Sequence, residues 1–352
     1  MKLSLRYISI KKYSAVLLLF LWMKGINTIE AATPKEQTTT REQVEQREQA
    51  AQKEQIVQKE EAAQREQAVQ KKHVSLTFRL LSTSDGLPTN EVQKVYQDKD
   101  GFIWFATRYG LCKYDGYGIS VYTRQLNNPN SLSNNNILCL AEDHDHRLWI
   151  GTQDGLNVLN KKTGDIKKIT IPGIPNPVVS CILVTSKNEI WLGLEEGLFF
   201  YSPKTNEFLY LNRNNSNGVL SDSPVKSLLE DSFGDIWIGT WNKGLFRYDS
   251  KKQVFVAYPQ MNERNSAHVI YEDSKKNIWV GTWDAGLQLL KNPRDPNHVT
   301  WQTFRNNPAD SLSLSDNIVY DICEDANRGA LWIGTRSGLS ILKYDHPERF
   351  IN

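Results

Sequence analysis

Cysteine is scarce in this 352-residue chain, and the four present, Cys112, Cys139, Cys181 and Cys323, have no C-x-x-C spacing. That argues against zinc sites and redox pairs. All four fall inside predicted strands and are expected to be buried free thiols. Cys139 and Cys181 each stand ten residues ahead of a tryptophan, in equivalent places, so sequence alone leaves a bridge between them open. Long apolar runs are lacking too: the run over residues 15–23 falls short of the roughly 20 residues a bilayer-crossing helix needs. Charge imbalance is absent, with a net charge of +2. The first 32 residues carry Lys2, Arg6, Lys11, Lys12 and Lys24 against Glu30, which leaves residues 33–352 slightly acidic. Nothing there makes the electrostatic footprint of a nucleic-acid binder. No nucleophile–base motif and no Gly-rich phosphate loop stands out. The Glu-Asp pairs at 142, 230, 272 and 324 resemble catalytic carboxylates, yet they recur just before tight turns, where Asx-type capping explains them. His144-Asp145-His146 occurs once, without further spaced ligands, and does not read as a metal site. The expectation is a chain without catalytic residues, cofactor or metal.

Three segments are present instead. Residues 1–32 have a basic start, a short apolar run and a small-residue end at Ala31-Ala32, the anatomy of a secretory signal peptide. No cysteine lies near the cleavage region, so lipid anchoring is not supported, while Glu30 fits poorly at the third position before a cut after Ala32. Residues 33–75 form a Glu/Gln/Lys-rich spacer, with a six-residue repeat over 41–73. Six residues advance about 600° on a helix, so its apolar pairs make no stripe, and a solvated helical or disordered spacer is expected.

Residues 76–352 read as short β-branched and aromatic runs divided by Gly, Asn, Asp and Pro. One phrase organises them: Asp235-Ile236-Trp237-Ile238-Gly239-Thr240, then a short turn before Gly244-Leu245. It recurs around Trp104, Trp149, Trp191, Trp279 and Trp332, with spacings of 45, 42, 46, 42 and 53 residues between successive tryptophans. That period fits one four-stranded propeller blade per repeat. Blades are expected near 90–123, 135–171, 177–211, 223–258, 266–304 and 316–352. In blade two, 137–142, 148–152, 156–160 and 166–171 are the strands. The second strand is apolar on both faces and must be covered on both, which neighbouring blades provide. Burying each tryptophan contributes roughly 4–6 kcal/mol as an upper estimate, so the six are assigned to inter-blade packing.

The phrase G-x-[IL]-W-[IVFL]-G-T before Gly-Leu, followed by Tyr-Asp, resembles the two-component regulator propeller repeat. Asp85-Gly86-Leu87 and the loops at 128–133 and 308–313 strengthen the likeness. The resemblance implies an all-β propeller acting as the periplasmic sensor half of a hybrid histidine kinase, many of which detect glycan fragments. It also implies an oligosaccharide ligand and the remainder of a sensor kinase, homodimeric when complete, as partners. No kinase, receiver or DNA-binding motif is found in these residues. A strand near residues 78–81 is left over from the six-blade count, so the reading is an N-terminal fragment whose seventh blade closes beyond Asn352; a closed six-bladed ring is the alternative. Thr185-Ser186 replaces Glu-Asp in blade three, where a different lower turn is expected.

In an antiparallel meander the second-to-third strand turns and the blade-to-blade loops share one face. On it lie Arg108, Tyr109, Trp241, Lys243, Trp283 and Arg336. Trp241 and Trp283 stand outside the framework register, where exposed rings can stack on sugar faces, and the basic residues can take an anionic group. A secreted propeller lyase or hydrolase and a protein-interaction scaffold are the rival readings.

Overall fold

The computed structural model describes residues 79–352 apart from 213, 217–219, 221–222, 259–265 and 296–297. The expected signal peptide and spacer lie outside them. Among the described residues no helix is long and apolar enough to cross a membrane. The strands form six four-stranded antiparallel sheets, each a simple meander. Blade two runs Ile137–Glu142, Arg147–Thr152, Gly155–Asn160 and Ile166–Ile169. The first strands of successive blades, Val92–Gln97, Ile137–Glu142, Val179–Val184, Val225–Glu230, Ala267–Glu272 and Val319–Asp325, pack side by side in that order. These are the inner strands of a propeller.

Burial follows the repeat. Every residue of the second strands Ile190–Leu194, Ile236–Thr240 and Ile278–Thr282 is buried, because sheets cover both faces. Five apolar clusters each join a blade to its successor, and they contain Trp104, Trp149, Trp191, Trp237 and Trp279 in turn. The strand residue two after the tryptophan must be small. A Cβ on Gly151, Gly193, Gly239 or Gly281 would lie between 2.5 and 2.8 Å from the nearest atom of Val179, Val225, Ala267 or Val319 in the next blade.

Four of the six tryptophans are also tied by the indole N–H. Asp98, Asp143, Asp231 and Asp273 accept from Trp104, Trp149, Trp237 and Trp279 at 2.8–2.9 Å, while their second oxygens accept turn N–H groups. The Asx reading of these aspartates therefore holds, with the indole as an added partner. The glutamates beside them do something else: Glu230, Glu272 and Glu324 accept the backbone N–H and hydroxyl of Ser186, Ser232 and Ser274 in the preceding blade. Glu142 accepts from Lys99 N in the same way.

Four expectations need correction. Thr185 does not change the lower turn of blade three, since Asn188 N still donates to Thr185 O as His146 N does to Asp143 O. What is lost is the indole acceptor, and the buried Trp191 Nε1 has no hydrogen-bond partner. Second, Arg79, Leu80 and Leu81 form no strand. The chain bends instead into a short 3-10 turn at Thr83–Asp85, capped by Ser82 and ended by Gly86 at φ 105°, and lays Leu81 and Leu87 against Phe105 and Cys112 of blade one. Third, Trp332 is only half-buried and belongs to none of the five inter-blade clusters. Its blade has no successor among the described residues. Finally, the cysteines are all free, but only Cys112 and Cys139 are buried; Cys181 is half-buried and Cys323, on the inner strand of blade six, is exposed.

Candidate functional site

The face chosen from sequence has a structural origin in the inner strands. Each of them slips register by one residue near its start, at Gln93, Leu138, Ser180, Lys226, His268 and Tyr320. A bulge frees a side chain from the ladder and re-aims it. Just above, the residue that follows the second strand donates its N–H to the strand entry: Gln153 to Asn136 O, Glu195 to Val178 O, Trp241 to Pro224 O and Arg336 to Ile318 O. In these four blades two residues, one bulged and one in the turn, are thereby held at the same end of the propeller.

In blades three to six these two sets meet. Trp241 and Trp283 come together with ring centroids 5.4 Å apart. Trp283 touches His268 at 5.4 Å and Tyr320 at 6.1 Å, and His268 and Tyr320 lie 6.1 Å apart. Lys226 places its ammonium 5.6 Å from the Trp241 ring and pairs with Glu195 in blade three. Across the propeller Lys94 pairs with Asp321 at 2.9 Å. The three larger rings keep solvent access, at 39% for Trp241, 38% for Trp283 and 44% for Tyr320. His268 is more deeply set: its Nδ1 is buried without a hydrogen-bond partner. Burial, with Lys226 and Lys94 adding to it against Asp321, lowers its pKa below the ordinary histidine value, so the imidazole is neutral.

Of the residues chosen from sequence, the structure brings Trp241 and Trp283 together and leaves the others apart. Arg336 is held by Asp316, at 3.0 Å. Tyr109 is exposed on the turn of blade one, beside Arg108, and Lys243 sits exposed at the turn tip beyond Trp241. Sequence reading missed Lys226, His268 and Tyr320. The signal was available: the position eleven residues before the framework tryptophan in blades one to five, and twelve before it in blade six, holds Gln, Leu, Ser, Lys, His and Tyr within an otherwise repeated frame.

Two other places gather polar groups. At the opposite end, ligand atoms of Asp100, Glu142 and His146 lie within 4.8 Å of one another. Lys161 fills that position, donating to Asp98, Asp100 and Glu142 at 2.7–3.1 Å, so the cluster already holds its own cation. A groove of about 520 Å³ runs along the loop between blades one and two, lined by Arg124, Asn128, Asp154 and Lys168 among others. The loop is built by local bonds such as Gln125 N to Ser131 Oγ, and the same bond recurs from Asn307 N to Ser313 Oγ before blade six. It reads as a structural loop.

Comparison with known proteins agrees with the repeat. A family model described as two component regulator propeller matches residues 86–109, 131–154, 219–242, 263–284 and 313–337. Five of the six blades carry the two-component regulator propeller repeat. One curated relative, histidine kinase P4 of Formosa agariphila, is 32% identical over 176 residues, covering 47% of this chain and 12% of that protein. The chain therefore spans only a small part of the length of the curated relative it matches. Among solved structures, the extracellular domain assigned to a hybrid two-component system of B. thetaiotaomicron aligns with a TM-score of 0.60 at 23% identity, over 77% of this chain and 35% of that one. Virginiamycin B lyase of Staphylococcus aureus aligns with a TM-score of 0.54 at 16% identity, over 73% of this chain and 80% of the lyase. At such identities the likeness of these two structures is one of fold, and it spans both an extracellular domain of a two-component system and a lyase.

Proposed function

We propose that this propeller is the extracytoplasmic ligand-sensing part of a two-component signalling protein. Its ligand is a glycan or oligosaccharide, bound at the end of the propeller where Trp241 and Trp283 converge. It does no chemistry itself; the kinase activity and the homodimeric assembly through which such a sensor signals belong to other parts of a complete protein. The observation that carries the reading is the pair of part-exposed tryptophans at turn positions where other blades place Arg, Gln or Glu. Indole rings left part-open to water offer apolar area for stacking, as sugar-binding surfaces do.

The test is calorimetric titration of the purified chain with oligosaccharides, with Trp241→Ala and Trp283→Ala made together. Affinity lost in the double variant, at an unchanged denaturation midpoint, supports the site; unchanged affinity sinks it. Cleavage of any bound saccharide would favour the lyase or hydrolase reading. Capture of a protein partner without saccharide binding would favour the scaffold.

A further inference from the structure

The saccharide reading leaves open which sugars the site accepts, and the charges around the aromatic cluster bear on that. An anion that settles against part-buried rings needs an unpaired cation, because removing it from water without one is costly. Among the described residues, the two lysines that act on the cluster's rings are already engaged, and Lys243, exposed at the tip of the Trp241 turn, lies over none of them. Lys226 holds Glu195 and lies against the Trp241 ring. Lys94 holds Asp321, next to Tyr320. A cationic ligand fares no better, since the Trp241 ring already has the Lys226 ammonium beside it, and a second positive charge there is repelled. What remains on offer is apolar ring surface from Trp241, Trp283 and Tyr320, together with polar groups that carry no net charge.

The rings differ in origin. Trp241 and Trp283 stand on turns, whereas Tyr320, His268 and Lys226 stand on strand bulges, fixed by sheet hydrogen bonds on either side. Groups on strands are placed more firmly than groups on loops. A site needs firm placement where it discriminates, and turns suffice for general stacking. We infer that this cluster takes an uncharged, hydroxyl-rich ring, a neutral sugar unit, and that His268 and Tyr320 at the bulges determine which one. The inference rests on the saccharide reading above and narrows it.

The experiment titrates the full chain with two panels matched in length: neutral hexasaccharides of glucose, xylose, mannose and galactose, and acidic ones made of galacturonate, guluronate or sulfated galactose. Tyr320→Ala and His268→Ala are compared with Tyr117→Ala, an almost fully exposed residue on a third-to-fourth strand turn at the other end. The expected result is binding from the neutral panel, insensitive to salt between low and physiological ionic strength. Tyr320→Ala and His268→Ala then lose roughly tenfold or more in affinity, as for a central contact residue, and Tyr117→Ala loses nothing. Urea midpoints of all three variants establish that they are folded, and Tyr320→Phe, which keeps the ring, retains most of the binding. Tighter, salt-sensitive binding of the acidic panel overturns this inference and leaves the saccharide sensor standing. Full affinity in Tyr320→Ala and His268→Ala overturns the role of the bulges. Binding of neither panel overturns the saccharide reading itself.

Discussion

A buried indole N–H and a buried carboxylate each cost free energy when left alone, and in this chain they answer one another: an aspartate six residues before the tryptophan serves the turn with one oxygen and the indole with the other. Around Asp98 the balance needs a cation as well. Lys161 donates to Asp98, Asp100 and Glu142, and the Asp98 and Glu142 side chains have no solvent exposure. Burial alone would raise the Asp98 pKa and lower that of Lys161; the bonds from Trp104, Lys161 and Phe102 outweigh it and lower Asp98, while bonds to Asp100, Glu142 and Asp98 raise Lys161. Lys161→Met is expected to destabilise by about 3–5 kcal/mol at neutral pH, because it strands buried carboxylates. The sign of the pH dependence follows. A lowered Asp98 pKa contributes stability above its unfolded value near ~3.9, lost as pH falls through the lower folded value. A raised Lys161 pKa contributes below its unfolded value near ~10.4, lost as pH rises through the higher folded one. The gap between the native chain and the variant in urea midpoints is therefore widest between those limits and narrows on acidification below about pH 4; a gap that stays constant into acid would remove the ion-pair account. The aspartates were legible in sequence because they recur in register with the turn. Lys161 was not: it is 63 residues from Asp98, and nothing local marks a lysine as the one that folds inward.

Blades are held to one another by side chains reaching across the seam as well as by apolar contact. Ser232 donates through its backbone N–H at 2.7 Å and its hydroxyl at 2.8 Å to the two oxygens of Glu272. The same geometry joins Ser186 to Glu230 and Ser274 to Glu324. A double-mutant cycle of Ser232→Ala and Glu272→Gln is expected to give a coupling free energy of about 1 kcal/mol, read from denaturation midpoints. Strict additivity would mean that the bonds are surface decoration without weight in the seam. Strand positions were readable from sequence because hydrophobic runs, turn residues and the tryptophan phrase all fall in the same frame, and blade two differs from expectation by at most two residues at any strand end. The register slip itself was not readable, because it depends on how one strand meets the next; only the variation in residue type at that position shows in the sequence. The bulges matter most for the site: reading the face from turns alone found Trp241 and Trp283 and missed Lys226, His268 and Tyr320, which the bulges bring beside them.

At the scale of the whole propeller the seams are not equivalent. Five of them carry an apolar cluster with a framework tryptophan, and at four of these a glycine lies directly under the next inner strand. Blade six repeats the sequence pattern with Trp332 and Gly334, yet among the described residues no other blade faces it. A Cβ on Gly334 meets only Asp321 of its own blade, at 3.8 Å, whereas one on Gly281 would meet Val269 at 2.5 Å and Val319 at 2.6 Å. The same substitution at the two positions thus separates what the repeat encodes from what the seam requires. Gly281→Val forces two packed sheets apart and is expected to cost about 1–3 kcal/mol or more through overpacking. Gly334→Val places a β-branched residue in open strand surface and is expected to stay within about 0.5 kcal/mol of the native chain. Urea denaturation of the two variants side by side checks this. Equal losses would mean that blade six is covered as closely as blade five, and that its part-exposed tryptophan owes its exposure to something other than an open face.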